Sequence, residues 1–448
     1  MKYDRRAFIK STAKASLGVA VSSRISLDDS TDQMVEVMNP KNRVPVSMII
    51  DDSTTLVNMA HFGIPQFAEV FPGRYKQDWR KLPREIPDSF VREFGEWCIE
   101  NGVKGKYSVV PYPACTGWVN QFIPGWTKKE LQNSLDLIRD VIVPNWDIHP
   151  EMISHTRVID IKTGRPYDSA TPDYMENWEW SQNKSVDELA SYQAYALQIL
   201  KDAGLNCEGI TTPGGYGSKN KDNLAKSTFE AVRDVYNAEI PHYFRDLYTD
   251  KSNSVAPLVR YPKDLNTDDP KCVVSIIGCT GDWFGGWDGL VPGDVNKFIT
   301  EDLQSGRMVE VIDSGEPAIM VCHWPGIYYN GEKLGFNIFK EIVSRLNQKY
   351  DNLIWLKLAE ISRYWAAKEL TKISIQKNSI QFYAPFYTEH FTVRINKSIN
   401  TAKFKNGKPL NRIQHLKALE HNSFYAQNNE TTLCFYLQKG YSEVQFDT

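Results

Sequence analysis

The sequence of 448 residues has almost no net charge and lacks a long apolar run. A formal net charge of −3 provides neither the basic surface that binds nucleic acid nor a strongly acidic one. The mildly apolar stretch from Ala13 to Val21 is too short to span a bilayer, and nothing later is typical of a transmembrane helix. We therefore expect a soluble protein with no nucleic-acid partner and no membrane span.

Paired cysteines are also lacking. The seven cysteines include no Cys-x-x-Cys pair, which argues against a structural zinc cluster. Their number is odd, and they are scattered through apolar runs such as Cys272 to Ile277. This pattern predicts buried free thiols rather than a disulfide framework.

The N-terminus carries the one clear targeting signal. Asp4 to Lys10 contains an Arg-Arg pair, and the apolar stretch after it ends in small residues, as in twin-arginine export signals. We predict an export signal over 1–24, a polar linker over 25–43, and a periplasmic or secreted protein. The alternative is the ordinary basic start of a cytosolic protein.

The rest of the chain divides into two parts. Residues 44–369 alternate β-rich apolar runs with amphipathic helical patterns, which predicts an α/β fold, most simply a distorted (β/α) barrel. The predicted strands are 44–50, 106–110, 146–153, 207–212, 273–277, 318–322 and 353–356. The predicted helices are 88–101, 128–141, 185–203, 223–236, 294–305 and 337–349. Short alternating runs over 370–448 predict an all-β sandwich.

Adjacent carboxylates end the first predicted strand, at Asp51 and Asp52. Two buried neighbouring carboxylates repel, so such a pair persists when a cation or a proton lies between them. One aspartate would then be a metal ligand and the other a proton acceptor. The alternative is a turn or helix cap before Ser53.

Three histidines also lie at predicted strand ends, where a barrel gathers its reactive groups. They are His149, His155 and His323. A single histidine is more often a structural hydrogen-bonding residue, but several at one rim indicate a metal site, because neutral imidazole is the commonest metal ligand. Asp160 offers a further ligand near His155, and His323 is placed to act as a general acid.

Aromatic residues make up 12% of the chain, which suits either sugar stacking or a large aromatic core. Two glycine-rich loops, 211–217 and 278–289, lie where substrate would bind, although the second is equally typical of a packed surface loop. The candidate substrate-binding residues are Pro213, Gly214, Tyr216, Asp282, Trp283, Trp287, Asp288, His61 and Trp324.

In this order the segments resemble the motif series of the polysaccharide deacetylase (NodB-homology) family, the family 4 carbohydrate esterases. The resemblance covers roughly residues 44–366 and is divergent. The matching segments are Ile49 to Asp52 for Thr-Phe-Asp-Asp, His155-Thr156 for the His-Ser/Thr turn, Thr212 to Tyr216 for Arg-Pro-Pro-x-Gly, Asp282-Trp283 for Asp-Trp, and Cys322-His323 for Leu-His.

The resemblance implies a metal-dependent hydrolase that removes N- or O-acyl groups from a carbohydrate. It implies that Asp52 and His155 bind a divalent metal, with zinc expected. Asp51 would be the general base and His323 the general acid, and the backbone around Tyr216 would help to hold the oxyanion.

The sequence departs from the family pattern at several positions, among them Ser53, where the family often has glycine. Ile159 replaces the second histidine, so Asp160 or His149 would have to supply the missing ligand. Thr212 replaces the arginine that orients the base. Two alternatives therefore stay open: a glycoside hydrolase or other hydrolase that uses paired carboxylates on the same barrel, and a metal-free carbohydrate-binding protein.

Overall fold

A computed structural model describes residues 35–448, so the predicted export signal and residues 25–34 of the predicted linker lie outside the described residues. The strands are β1 Val35–Val37, β2 Val44–Asp51, β3 Gly105–Ser108, β4 Trp146–His149, β5 Ile159–Asp160, β6 Arg165–Pro166, β7 Gly209–Thr211, β8 His242–Leu247, β9 Leu258–Lys263, β10 Lys271–Gly278, β11 Ala318–His323, β12 Leu353–Trp355, β13 Lys372–Gln376, β14 Ser379–Ala384, β15 Thr388–Ile395, β16 Thr401–Phe404, β17 Pro409–Arg412, β18 Ser423–Gln427, β19 Glu430–Leu437 and β20 Gly440–Asp447. The α-helices are α1 Met59–Val70, α2 Asp88–Glu100, α3 Lys128–Leu137, α4 Val186–Asp202, α5 Lys221–Tyr236, α6 Arg307–Asp313, α7 Trp324–Tyr328, α8 Leu334–Lys349 and α9 Leu358–Leu370.

Eight parallel strands form a nearly closed barrel, and one of them, β12, pairs with the start of β2. One sheet has the order β11-β2-β3-β4, and a second has the order β7-β8-β10, with β9 antiparallel at its edge. The N–H of Thr211 donates to the carbonyl of Pro150 at 3.0 Å, and that of Cys279 donates to Ile319 at 2.8 Å, which links the two sheets at both edges. The predicted α/β barrel is confirmed at this level.

The central strand β2 is buried along its whole length, as its continuous apolar sequence requires in a sheet covered on both faces. It pairs in parallel with β11, and this register places Asp51 opposite His323. On its other side β3 continues the sheet toward β4, which leads into the turn that carries His155. Parallel pairing therefore brings the polar strand ends to one rim.

Five of the six predicted helices are present, with ends within a few residues of the predicted ones. The sixth, over 294–305, was wrong: only Val295–Lys297 form a short 3-10 turn there. Thr300 N–H donates to the carbonyl of Ser305, which folds this segment back on itself and prevents a continuous helix. The prediction missed α1, whose pattern is interrupted by Pro65 within the helix.

After α9 ends at Leu370 the chain contains strands and one short 3-10 turn. Together with β1 these strands follow the order β1-β15-β19-β18-β17-β16-β20-β14-β13, and every pair is antiparallel except β17–β18. The strand β1 lies within the predicted linker and pairs with β15, so this part of the linker is ordered structure. The described residues form one compact unit, and the two-sheet packing of 370–448 stays a prediction.

The absence of disulfides agrees with the sequence. All seven cysteines are free, and six of them are buried, which confirms that prediction. Among residues 35–448 no helix combines the length and the apolar character that crossing a membrane requires.

Candidate metal centre and active site

Three buried side chains converge at the C-terminal rim of the barrel. Asp52 follows β2, whereas Glu151 and His155 lie on the turn after β4. Oδ1 of Asp52 is 2.6 Å from Nε2 of His155, which is 3.2 Å from Oε1 of Glu151. One ligand atom from each residue lies within 4.8 Å of the other two. This arrangement of two carboxylates and one imidazole is a candidate three-ligand metal site.

The polar atoms of this cluster are better placed to bind a cation than to form hydrogen bonds with one another. Although Oδ1 of Asp52 is close to His155, it is buried and accepts no hydrogen bond from any described residue. The contact between Oδ1 of Asp52 and Nε2 of His155 is short but lacks hydrogen-bond geometry. A buried carboxylate oxygen without a donor is costly, and a divalent cation bound by oxygen and nitrogen would satisfy it.

The backbone at two of these residues is left-handed. Asp52 has φ 57° and His155 has φ 66°, a region that residues other than glycine enter at a cost. Such conformations persist when the surroundings hold them, and they concentrate at functional sites. Here the N–H of Asp52 donates to Oε2 of Glu151 at 2.8 Å, so one candidate ligand fixes the backbone of another.

Glu176 holds the turn that carries two of the candidate ligands, Glu151 and His155. Its buried carboxylate accepts the N–H groups of Ile153 at 3.2 Å, Ser154 at 3.1 Å and His155 at 2.6 Å. The hydroxyl of Tyr192 also donates to it, at 2.5 Å. Burial raises the pKa of Glu176 to about 7, although these hydrogen bonds oppose the shift. A single side chain thus fixes three consecutive peptides beside Glu151.

The carboxylates of the cluster determine the charge of its histidine. Burial alone would lower the pKa of His155, but Asp52 and Glu151 outweigh burial and raise it well above its usual value. Burial would likewise raise the pKa of Glu151, but His155, Lys106 and the Asp52 N–H lower it to about 2. The site therefore favours positive charge between its carboxylates, which a proton or a metal ion can supply.

Asp51 has a different partner from its neighbour Asp52. The fully buried Lys106 donates to Oδ1 of Asp51 at 2.5 Å and also to the carbonyl of Ile50 and the hydroxyl of Ser108. Burial raises the pKa of Asp51 to about 6, and the charge of Lys106 limits that rise. A carboxylate in this state can accept a proton near neutral pH.

His323 ends β11 opposite Asp51, and its Nδ1 lies 2.8 Å from Oδ2 of Asp282. Burial would lower the pKa of His323, but the carboxylates of Asp282, Asp52 and Asp51 raise it to about 10. The imidazole is therefore charged at neutral pH and oriented by Asp282, as a proton donor requires.

Four aromatic rings lie beside the cluster, and we call them the aromatic group: Phe67, Tyr75, Trp178 and Trp287. The centroid of Phe67 is 6.3 Å from that of His155. It is also 5.3 Å from Tyr75, 5.4 Å from Trp178 and 5.8 Å from Trp287. Phe67 lies in α1, Tyr75 follows α1, and the two tryptophans come from loops before α4 and after β10, so distant segments form one apolar wall.

No protein-family model and no curated protein matches the sequence. Solved structures resemble the fold. A candidate polysaccharide deacetylase from Mycobacterium smegmatis has a TM-score of 0.40 and 12% identity, over 75% of this chain and 94% of that one. A probable polysaccharide deacetylase from Pseudomonas aeruginosa PAO1 has a TM-score of 0.35 and 10% identity, over 73% and 91%. Puue allantoinase has a TM-score of 0.38 and 12% identity, over 73% and 91%.

The two residues predicted to supply the missing ligand lie elsewhere. The carboxylate of Asp160 accepts the Lys162 N–H in the turn between β5 and β6. Nε2 of His149 lies 2.9 Å from Nε2 of His242 inside the barrel, where burial and His242 lower the pKa of His149. Neither residue belongs to the cluster, because Glu151 occupies the third position.

Several predicted substrate contacts are instead packing residues. His61 places Nδ1 2.8 Å from the carbonyl of Leu82. Trp324 is 1% exposed and packs on Phe90 and Phe94 in the core. Trp283 packs on Phe298 rather than in the aromatic group. The burial of His61 and Trp324 argues against a substrate contact, because large rings after strand ends also fill the space under the helices, whereas the half-buried Trp283 stays a prediction.

The glycine-rich loop offers little to an oxyanion. The Tyr216 N–H donates to the carbonyl of Pro213 at 2.9 Å, so it is already used, and the Tyr216 ring is fully buried. Gly214 is exposed at φ 44°, beside the backbone of Asn177. Asp288 is buried and accepts a hydrogen bond from Gln77. The predicted oxyanion role of the loop backbone is therefore not supported.

Sequence reasoning missed Glu151, Lys106 and Glu176. Glu151 lies four residues before His155 on one turn, and this spacing was a usable signal. Lys106 interrupts an otherwise apolar strand, which indicates a buried charge with a partner. Nothing in the sequence around Glu176 distinguishes it from a surface carboxylate, because three of its four partners are backbone groups distant in the chain.

Proposed function

We propose that this protein is a metal-dependent hydrolase that removes N- or O-acyl groups, acetyl above all, from a carbohydrate. The observation that carries the proposal is the buried convergence of Asp52, Glu151 and His155 at the same rim as Asp51 and His323. Two carboxylates and one imidazole suit a divalent transition metal, and we propose zinc.

The chain's own residues would divide the reaction among them. Asp52, Glu151 and His155 would hold the metal, which when bound supplies Lewis-acid chemistry at an acyl carbonyl. Asp51, held by Lys106 through one oxygen, accepts the proton of the attacking water. The charged His323, oriented by Asp282, donates a proton to the departing amine or alcohol.

A carbohydrate substrate is supported by the wall beside the cluster. Trp178 and Trp287 of the aromatic group are partly exposed, and tryptophan faces stack on the apolar faces of sugar rings. We further propose that the protein is exported by means of its Arg5-Arg6 signal, and that residues 370–448 form a β-sandwich domain packed on the barrel through α9.

Metal content and acetate release test the proposal together. We expect the purified protein to hold about one zinc ion per chain and to release acetate from acetylated chito- or xylo-oligosaccharides. Asp52→Asn, Glu151→Gln and His155→Ala should each lose the metal. Asp160→Asn is the matched control, since that carboxylate lies outside the cluster, and it should keep the metal.

The other readings correspond to different results. A metal-free protein that cleaves glycosidic bonds would replace the proposal with a glycoside hydrolase. A metal-free protein that binds sugar without releasing acetate would indicate a binding protein. Full metal retention in Glu151→Gln would show that Glu151 is not a ligand.

A further inference from the structure

The candidate metal cluster is closed to large molecules in this conformation. Asp52 and Glu151 are each 2% exposed and His155 is 6% exposed. The ring of Phe67 lies against His155 and is itself covered by the other rings of the aromatic group. On this side the aromatic group therefore covers His155.

Tyr75 is placed where it keeps two tryptophans apart. Its ring centroid is 6.2 Å from that of Trp178 and 5.8 Å from that of Trp287. All three rings contact Phe67, while no direct ring contact joins Trp178 to Trp287 among the described residues. The two indoles therefore form the sides of a slot, Phe67 forms its floor, and Tyr75 fills it.

The segment that carries Tyr75, residues 71–78, lies at the surface and is held by few long-range contacts. Gln77 donates a hydrogen bond to Asp288 at 2.9 Å, and Phe71 packs on Trp178. Its backbone bonds are local, as where the Tyr75 N–H donates to Phe71. The exposed residues of the segment are Pro72, Gly73, Arg74, Lys76 and Asp78. Such a segment opens at low cost compared with the barrel.

We propose that Trp178 and Trp287 form a binding slot for one pyranose ring, and that Tyr75 occupies this slot until segment 71–78 opens. The proposal rests on the proposed function, since a ring bound over Phe67 would place its acyl substituent beside His155. A phenol ring and a pyranose ring are similar in width, so a sugar ring fits the space between the indoles that Tyr75 fills at interplanar angles of 52° and 78°. Binding is then a competition between Tyr75 and the sugar for one space.

Sugar binding to the metal-free protein tests this competition without turnover. The probes are N,N′-diacetylchitobiose and acetylated xylobiose, measured by calorimetry. Because Tyr75 reduces the fraction of open slot, Tyr75→Ala should bind at least one of them roughly threefold or more tightly than the unmodified chain. Trp178→Ala and Trp287→Ala should each weaken binding about tenfold. Tyr383→Ala, which removes an exposed tyrosine on β14, is the control and should change nothing.

A second measurement follows opening directly. Zinc loss to dipicolinate should be several-fold faster from Tyr75→Ala than from the unmodified protein or Tyr383→Ala. Equal sugar affinities in Tyr75→Ala and the unmodified chain, unchanged affinity in both tryptophan variants, or no binding of either probe to Tyr75→Ala would each overturn the slot. Failure of the proposed function gives a different result: the chain holds no zinc and releases no acetate, while Tyr75→Ala still binds sugar more tightly, and the tryptophan variants more weakly, than the unmodified chain.

Discussion

Asp51 and Asp52 are neighbours in the chain, yet their side chains meet different partners. Asp51 ends β2 in regular strand geometry and meets Lys106, whereas the left-handed backbone of Asp52 directs its carboxylate to His155. One oxygen of Asp51 is taken by an ammonium group, and one oxygen of Asp52 accepts no hydrogen bond within the described residues. Two identical side chains thereby have surroundings that suit different chemistry, the proposed proton acceptance in one and the proposed cation binding in the other.

His323 should be needed for turnover but not for metal binding. In His323→Ala we expect kcat to fall about 100-fold, the usual worth of a positioned proton donor, with zinc content unchanged. Asp282→Asn should give a smaller loss, because it removes only the partner of the imidazole. Steady-state kinetics and elemental analysis measure the two effects. Loss of zinc from His323→Ala would instead make this residue a ligand.

At the scale of the element, the turn after β4 depends on Glu176. Because this carboxylate accepts three consecutive N–H groups, Glu176→Gln should weaken zinc binding by about 10- to 100-fold while the barrel stays folded. Tyr192→Phe removes only the side-chain donor to Glu176 and should have the smaller effect. Competition with a chelator gives the affinities, and circular dichroism checks the fold. Equal zinc affinity in Glu176→Gln, Tyr192→Phe and the unmodified protein would show that Glu176 does not position the metal site.

The start of α9 should make stability depend on pH. The carboxylate of Asp147 accepts the Ala359 N–H at 2.6 Å, and burial raises the pKa of Asp147 from 3.8 to about 7 against that hydrogen bond and Lys357. The pKa of Asp147 is higher in the folded than in the unfolded protein, so protonated Asp147 stabilises the fold. This contribution is complete below about pH 4 and is lost as the pH rises through about 7.

Asp147→Asn removes the titration and keeps an oxygen for the helix N–H. The drop in urea midpoint between pH 4 and pH 8 should therefore be smaller in the variant than in the unmodified protein. An identical drop in both would show that Asp147 titrates near its ordinary pKa.

Elements whose apolar residues recur at a clear helical or strand spacing could be predicted from the sequence. Elements that depend on tertiary contacts could not. The strand β2 and the helix α4 have apolar patterns that leave few alternatives, and α4 also begins with a capping box at Ser185. Segment 294–305 shows helical spacing, yet hydrogen bonds between Thr300 and Ser305 close a folded loop there. The strand β1 is three residues long and gains its structure only from β15.

The candidate site was predictable to the extent that strand ends define it. Asp51, Asp52 and His323 end strands, so parallel pairing brings them together, and His155 follows β4 closely. The third position of the cluster depends on how the turn at Glu151 folds, and that path is set by contacts the sequence does not display. The aromatic group is likewise assembled by long loops whose course no local pattern predicts.

On the scale of the whole molecule, α9 joins the barrel to the C-terminal strands. Its residues contribute to two cores, Tyr364 and Trp365 to that of the barrel and Ala367 to that of the strands. The Tyr364 hydroxyl donates to the carbonyl of Met38 at 2.7 Å and accepts the Thr392 N–H at 3.3 Å. Shared packing of this kind couples the two regions into one cooperative unit.

We therefore expect one unfolding transition for residues 35–448, with the barrel and the C-terminal strands melting together. Tyr364→Phe leaves a part-buried carbonyl and a buried N–H without their partner and should lower the unfolding free energy by about 1–3 kcal/mol. Urea unfolding followed by near-ultraviolet circular dichroism measures both. Two resolved transitions would show that α9 does not couple the regions.

The left-handed backbone at Asp52 and His155 has a consequence for which residues these two positions keep in related proteins. Glycine would adopt either conformation without the penalty of roughly 1–2 kcal/mol that a side chain incurs. A lineage released from selection for chemistry should therefore drift toward glycine at these two positions and become more heat-resistant as it does so. Persistence of the costlier residues across descendants would then mark those that still perform the reaction.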